Sequence, residues 1–260
     1  MHPPAQLSAL HHTLTAGDLH AGWTTAAGIA AAGLAVGGYY YASLWPPSQI
    51  FGGSLIAGRD PAEVALTFDD GPNDPYTSQL LEVLARHRVN AAFFVIGGFV
   101  REKPHIVRAL HREGHTVGCH TMTHPRLMYM GLKRIRAEIG DAAALIEDTI
   151  GDQVRFFRPP FGARHPGVFR VLAELRLTPV LWNVNARDWK ANSAAEIERR
   201  LERGIRRNQR VHRGSNLLLH DGGHLAMGTD RRRTVTAVAN LLATTSSEGI
   251  RFVTLDHWQS

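Results

Sequence analysis

The chain of 260 residues carries a single cysteine, Cys119, so no intrachain disulfide can form and cysteine usage says nothing of the redox compartment. Charge is missing from residues 21–58, which hold no Asp, Glu, Lys or Arg. The first twenty residues lack Lys and Arg, which removes both the basic start of a signal peptide and the positive-inside mark of a membrane span. After residue 60 there is no internal repeat and no low-complexity linker. The net charge is +6, yet no nucleic-acid-binding motif or interleaving of aromatics accompanies the arginines, so no nucleic acid is expected as a partner. The basic excess reads first as solvated helix faces, and second as attraction to anionic surfaces such as lipid headgroups or wall polymers.

What is present suits one large domain with a short appendage: 44% apolar and 20% charged residues allow a sizeable core. The charge-free stretch is mostly Ala, Gly and aliphatic from Gly22 to Trp45 and ends in Tyr39, Tyr40, Tyr41 and Trp45 before two prolines. Its length and terminal aromatics give the expectation of a membrane anchor, with the catalytic domain outside the cytoplasm; a buried Ala/Gly-rich helix is the competing reading. The expected organisation is a tail (1–20), an apolar anchoring helix (21–46), a linker (47–60) and a catalytic domain (61–260).

Within that domain, short apolar runs predict strands at 64–68, 91–96, 116–119, 156–158, 179–182, 216–219 and 251–255. Amphipathic stretches between them predict helices at 77–88, 103–113, 132–150, 166–175, 194–207 and 231–246. Such alternation predicts an α/β fold around a parallel sheet, open or closed into a barrel. Unusual polar residues follow the strands: Asp69 and Asp70, then His120 and His124, Arg158, Asp188, and His220 with Asp221. The carboxyl ends of parallel strands open on one face, so these clusters are expected to share one rim.

One Asp suffices for a turn, so Asp69-Asp70 before Gly71-Pro72 asks for a further role. His120 and His124 can converge on one metal if their segment begins a helical turn. Two imidazoles and one carboxylate are a catalytic zinc set with a position left for water, and the second Asp can then be the base. Spacing alone leaves open which Asp does which.

"TFDDGP", "HTMTH", "RPPFG", "RDW" and "LLLHDGG", in this order, closely resemble the five motifs of the polysaccharide deacetylase family, across about three quarters of the chain. That resemblance implies a distorted (β/α) barrel of about seven strands and metal-dependent removal of acetyl groups from N-acetylated, chitin-like or peptidoglycan glycans. It assigns Asp69 as base, and Asp70, His120 and His124 as metal ligands. Arg158 is implied to orient the base, His220 to act as acid and Asp188 to hold that histidine and raise its pKa. Pro160, Phe161, Gly162, Trp189 and Leu218 are implied to bind substrate. Zn2+ is the expected cofactor, with Co2+, Ni2+ or Fe2+ compatible with the same ligands.

Two positions depart from the family pattern. Asn185 stands where an acid is common, and Cys119 stands where a polar residue is; the latter reads as a buried structural cysteine rather than a fourth ligand. His224 lies close enough to the last motif to touch substrate without being assigned a role. The competing functions are hydrolysis of a small non-sugar amide and a non-catalytic carbohydrate-binding protein. The full complement of motif residues favours the sugar deacetylase.

Overall fold

The structure is a computed structural model and describes residues 16–245 and 249–259, with side chains from residue 30 on. The expected tail at 1–20 therefore lies mostly outside the described residues. Compact packing divides the chain at Tyr41, and Ala42–Ser260 forms one unit. The first helix, α1, covers Ala16–Leu44. Among the described residues no helix is long and apolar enough to cross a membrane, so the expected transmembrane anchor at 21–46 is not supported. The physical reason is composition: alanine and glycine dominate this helix, and both gain little on transfer from water.

The sheet is parallel throughout. Its strands are β1 (Glu63–Gly71), β2 (Ala92–Val95), β3 (Thr116–Cys119), β4 (Phe156–Phe157), β5 (Thr178–Pro179), β6 (Val184–Asn185), β7 (Ser215–His220) and β8 (Arg251–Phe252). The order is β5-β4-β3-β2-β1-β7-β6, with β8 added beside β1. The one strand expected at 179–182 is thus split. Thr178 and Pro179 pair with β4, whereas Val184 and Asn185 pair with β7. Both ends of the sheet come from one extended stretch of chain, so the sheet curls round on itself as a distorted barrel. Residues 47–60, expected as a linker, also touch it: Leu55 bridges Val180.

Alternation along β1 sets the layers. Val64, Leu66 and Phe68 face the helices and join the main core with Phe93, Val95, Leu217 and Leu219. Ala65 faces the barrel interior with Phe94, Phe156 and Val180. Thr67 and Asp69 continue that inward row, so the interior turns from apolar to polar toward the carboxyl ends of the strands.

The surrounding helices are α2 (Tyr76–His87), α3 (Gly97–Glu102), α4 (Pro104–Arg112), α5 (Leu132–Ile150), α6 (Pro166–Glu174), α7 (Ala194–Arg210) and α8 (Arg232–Thr245). Pro104 opens α4 at its first turn, where the missing N–H costs nothing, and it separates α4 from the shorter α3. Ser193 caps α7 by accepting from the Glu196 N–H.

Candidate active site

Asp69 and Asp70 lie next to each other on β1, where an extended strand would send them to opposite faces. A bulge resolves this. Asp69 pairs with Phe94 and Gly71 with Val95, leaving Asp70 as the extra residue, with φ at 72°. The left-handed turn brings its carboxylate back to the rim that Asp69 already faces. Both are buried, at 4% exposure.

His120 and His124 converge without the helical turn expected from their spacing. Their segment is irregular, with Thr121 at φ 67° and His124 at φ 59°. Buried Glu138 of α5 holds it, accepting from the Thr123 N–H at 2.9 Å and the Thr123 hydroxyl at 2.7 Å. The Thr121 hydroxyl accepts from the His124 N–H at 3.0 Å.

Asp70 Oδ1 lies 3.2 Å from His124 Nε2 and 3.5 Å from His120 Nε2. That oxygen is buried and makes no hydrogen bond. His120 Nδ1–H donates to the Arg158 carbonyl at 2.7 Å, which fixes the tautomer and leaves Nε2 as a bare lone pair. Burial further pushes the His120 pKa down to about 4, against the pull of Asp69. A lone pair and an orphaned carboxylate oxygen facing one another need a cation, so this donor set fits a divalent metal.

Asp69 Oδ1 accepts from Arg158 at 2.8 Å, while Oδ2 stands 3.9 Å from His120 Nε2. Arg158 is wholly buried and fixed: it also donates to the Thr67 hydroxyl at 2.8 Å and lies 4.1 Å over the Phe94 ring. Across the cavity, His220 Nδ1–H donates to Asp188 Oδ1 at 2.8 Å, and the other Asp188 oxygen accepts from the His220 N–H and the Thr234 hydroxyl, each at 2.9 Å. Burial lowers the His220 pKa, but the Asp188 charge and hydrogen bond outweigh it and raise it to about 9.

The cavity has a volume of about 610 Å³ and is lined by Asp69, Asp70, His120, His124 and His220, with Phe161, Trp189 and Leu218. Pro160 and Gly162, expected to bind substrate, are buried in the wall rather than lining it. Gly162 adopts φ 67°, and a Cβ there would press on Trp182 at 3.1 Å, so its role is to shape the turn. The Gly162 and Ala163 N–H groups are used within that turn, donating to Pro159 and Pro160.

Cys119 points away from the site. Its thiol is buried, contacts the Ile139 carbonyl at 3.7 Å, and burial raises its pKa to about 12. Asn185 makes no hydrogen bond to His220; Asp188 holds that histidine, and Thr234 in turn holds Asp188. His224 proves closer than its sequence position shows: its ring stacks on His124 at 4.4 Å, and Nδ1 is 3.8 Å from Asp70 Oδ2. Thr67, Glu138 and Thr234 carried no signal at all, being ordinary residues far along the chain from their partners.

The polysaccharide deacetylase family profile matches residues 57–180. A chitooligosaccharide deacetylase of Sinorhizobium fredii is 36% identical over 200 residues, which cover 74% of this chain and 90% of that protein. The chain belongs to the polysaccharide deacetylase family. A peptidoglycan-N-acetylglucosamine deacetylase of Bacillus cereus is 35% identical over 194 residues, covering 74% of this chain and 85% of the relative. A crystal structure of the Bc1960 peptidoglycan N-acetylglucosamine deacetylase, in complex with 4-naphthalen-1-yl-N-hydroxybenzamide, superposes with a TM-score of 0.70 at 31% identity, covering 79% of this chain and 91% of that one. Family membership and the buried Asp70–His120–His124 set together make this deacetylase fold one equipped for a metal.

Proposed function

We propose that the protein is a metal-dependent hydrolase removing acetyl groups from N-acetylated amino sugars of a chitin-like or peptidoglycan glycan, with zinc as its metal. The observation that carries this reading is the orphaned Asp70 Oδ1 facing two imidazole nitrogens, with a buried carboxylate on one side and a charged histidine on the other. Asp70, His120 and His124 would hold the ion, which when bound supplies Lewis acidity to the amide and acidifies water. Asp69 Oδ2, left free by Arg158, takes the proton of the attacking water. Arg158 orients that carboxylate rather than touching substrate. The Phe161 N–H, unlike those of Gly162 and Ala163, makes no hydrogen bond inside the turn and is the candidate donor to the oxygen that gains charge. His220 presents Nε2 to the cavity, since Nδ1 is committed to Asp188, and it donates a proton to the departing nitrogen. Trp189 packs edge-on against that ring at 4.8 Å and holds it. Leu218 gives the acetyl methyl an apolar wall.

The names of the relatives support the substrate class, and the complete set of acid, base and ligands speaks against a silent carbohydrate-binding protein. Acetylated envelope glycans lie outside the cytoplasm, so we place the catalytic domain there; protease accessibility in intact cells tests the placement. The function is tested by acetate release from chitooligosaccharides and peptidoglycan fragments, using chelated protein alone and with zinc restored. Zinc-dependent release is expected, and Asp69→Asn should bind metal yet lose about 10²–10⁴-fold in rate. Full metal occupancy without acetate from any glycan would overturn the sugar deacetylase reading.

A further inference from the structure

Beyond the acetyl-handling groups, the cavity is lined by three cations, Arg187, Lys190 and Arg231. Among the described residues the carboxylates lining it are Asp69, held by Arg158, and Asp70, committed to the ligand set, while Asp188, which also faces Arg231, is buried behind His220 and bonded to it. Arg187 and Lys190 have no ion-pair partner among the described residues, whereas many surface arginines, such as Arg136, Arg206 and Arg232, do. Arg231 is fixed by Nε donating to the Gly222 carbonyl at 2.7 Å.

Arg187 is the telling residue. It adopts φ 48° and ψ 44°, a left-handed conformation that Gly or Asn would take at less cost. The loop holds it there. Asn185 Oδ1 accepts from the Arg187 N–H at 2.8 Å, and Arg200 donates to the carbonyls of Ala186 and Arg187 at 2.9 and 3.1 Å. Arg88 and Arg176 adopt the same conformation at helix ends away from the cavity, so what singles Arg187 out is its place in the cavity lining without an ion-pair partner among the described residues. Asn185 itself adds to the effect. An aspartate would cap the same turn equally well but would set a negative charge beside Arg187, and this chain uses the neutral amide.

Resting on the deacetylase reading, we infer that Arg187, Lys190 and Arg231 form a charge-selecting subsite, and that the preferred substrate carries an anionic substituent on the sugar next to the acetylated one. A carboxylate ether and a phosphate ester are the two sources of such a charge.

The experiment compares four tetrasaccharides with the zinc-loaded full chain. They are neutral chitotetraose, a glycan with lactyl-ether carboxylates on alternate sugars, the same glycan with its carboxyls amidated, and a phosphorylated chitotetraose. Exposed charge pairs are individually weak, so two or three together are expected to favour the free carboxylate or the phosphate over its neutral counterpart by about three- to tenfold in kcat/KM, mostly through KM. Whichever anion is preferred names the source. The preference should shrink in Arg187→Gln, in Lys190→Gln and in Asn185→Asp, and in 0.5 M salt, where screening acts over about 4–5 Å. Equal turnover of the free and amidated glycans by the unaltered protein would overturn the inference. Calorimetric binding of the same sugars to the zinc-loaded Asp69→Asn protein separates the two claims. If no sugar releases acetate, the deacetylase reading falls, and the binding preference between free and amidated glycans still decides the charge subsite.

Discussion

Two acidic residues of β1 are buried to nearly the same degree, Glu63 at its start and Asp70 at its end, with 6% and 4% exposure. Their surroundings differ completely. Glu63 is satisfied: Oε1 accepts from His257 at 2.8 Å and from Arg251 at 3.2 Å, and Oε2 from the Trp258 indole at 2.9 Å. It draws the C-terminal segment onto the floor of the barrel. Asp70 Oδ1 accepts from no one and faces two imidazole nitrogens. Burying an unpaired carboxylate oxygen opposite two imidazole nitrogens is costly, and a bound cation would offset that cost. The backbone tells the same story. Among the described residues, four of the eight non-glycine residues with positive φ line the cavity, namely Asp70, His124, Phe161 and Arg187, and Thr121 lies beside His120, while Arg88, Arg176 and His212 follow helix ends elsewhere. At the rim such backbone re-aims side chains into the cavity, and at the helix ends it only terminates helices.

Breaking the reactive end gives the largest effect. His124→Ala removes one of the three proposed ligands, and both metal binding and turnover should be lost. The fall in affinity should exceed the roughly 10–100-fold typical of outer-shell partners, as measured by competition with a chelating dye. Retained stoichiometric zinc in this variant would count against the ligand set.

The acid side sharpens the comparison through pH. Because Asp188 raises His220 to about 9, the proton of this proposed donor is in place at neutral pH and is lost as pH rises through that value. A divalent cation beside Asp70 offsets part of the carboxylate field, so the alkaline limb of kcat in the loaded enzyme should fall at or below about 9. Asp188→Asn removes the charge that raises this pKa. The limb should then move to lower pH, and kcat should drop by about 10²–10⁴-fold. A profile with the limb in its original place would remove His220 from the role of acid.

Why one end of β1 was so much more legible than the other follows from chemistry. Asp69, Asp70, His120, His124, Arg158, Asp188 and His220 interrupt apolar runs at the carboxyl ends of strands, and the structure gathers all seven around one cavity. The parallel sheet was legible from the regular alternation of short apolar runs with amphipathic helical stretches, and the structure bears it out with eight parallel strands among the described residues. What stayed hidden depends on long-range geometry. The bulge that turns Asp70 inward, the irregular path from His120 to His124, and the division of 178–185 between two neighbours are backbone events without a local residue signature. Thr67, Glu138 and Thr234 hold functional groups in place but look like any strand or helix residue. Glu63 belongs with them: nothing near it in sequence announces His257 or Trp258.

That makes Glu63 the place for the subtlest test. Glu63→Gln keeps the side chain's shape but replaces one acceptor oxygen with an NH2 group that opposes a donor. Either the Trp258 indole or the His257–Arg251 side loses its partner, depending on how the amide turns. Arg251 and His257 are exposed and can turn to water, and Trp258 is half-buried, so the change costs about the 0.5–1.5 kcal/mol net worth of a hydrogen bond. In a chain of this size that corresponds to a Tm lower by about 2–4 °C per kcal/mol. Zinc affinity should stay unchanged, because Glu63 and Asp70 sit at opposite ends of the nine-residue β1. Thermal denaturation with and without zinc reads both quantities at once. A lower Tm with an unaltered zinc-induced increment would mark the two buried acids as independent, one closing the barrel and the other holding its metal. A lost increment would mean that the floor of the barrel also positions the ligands at its rim.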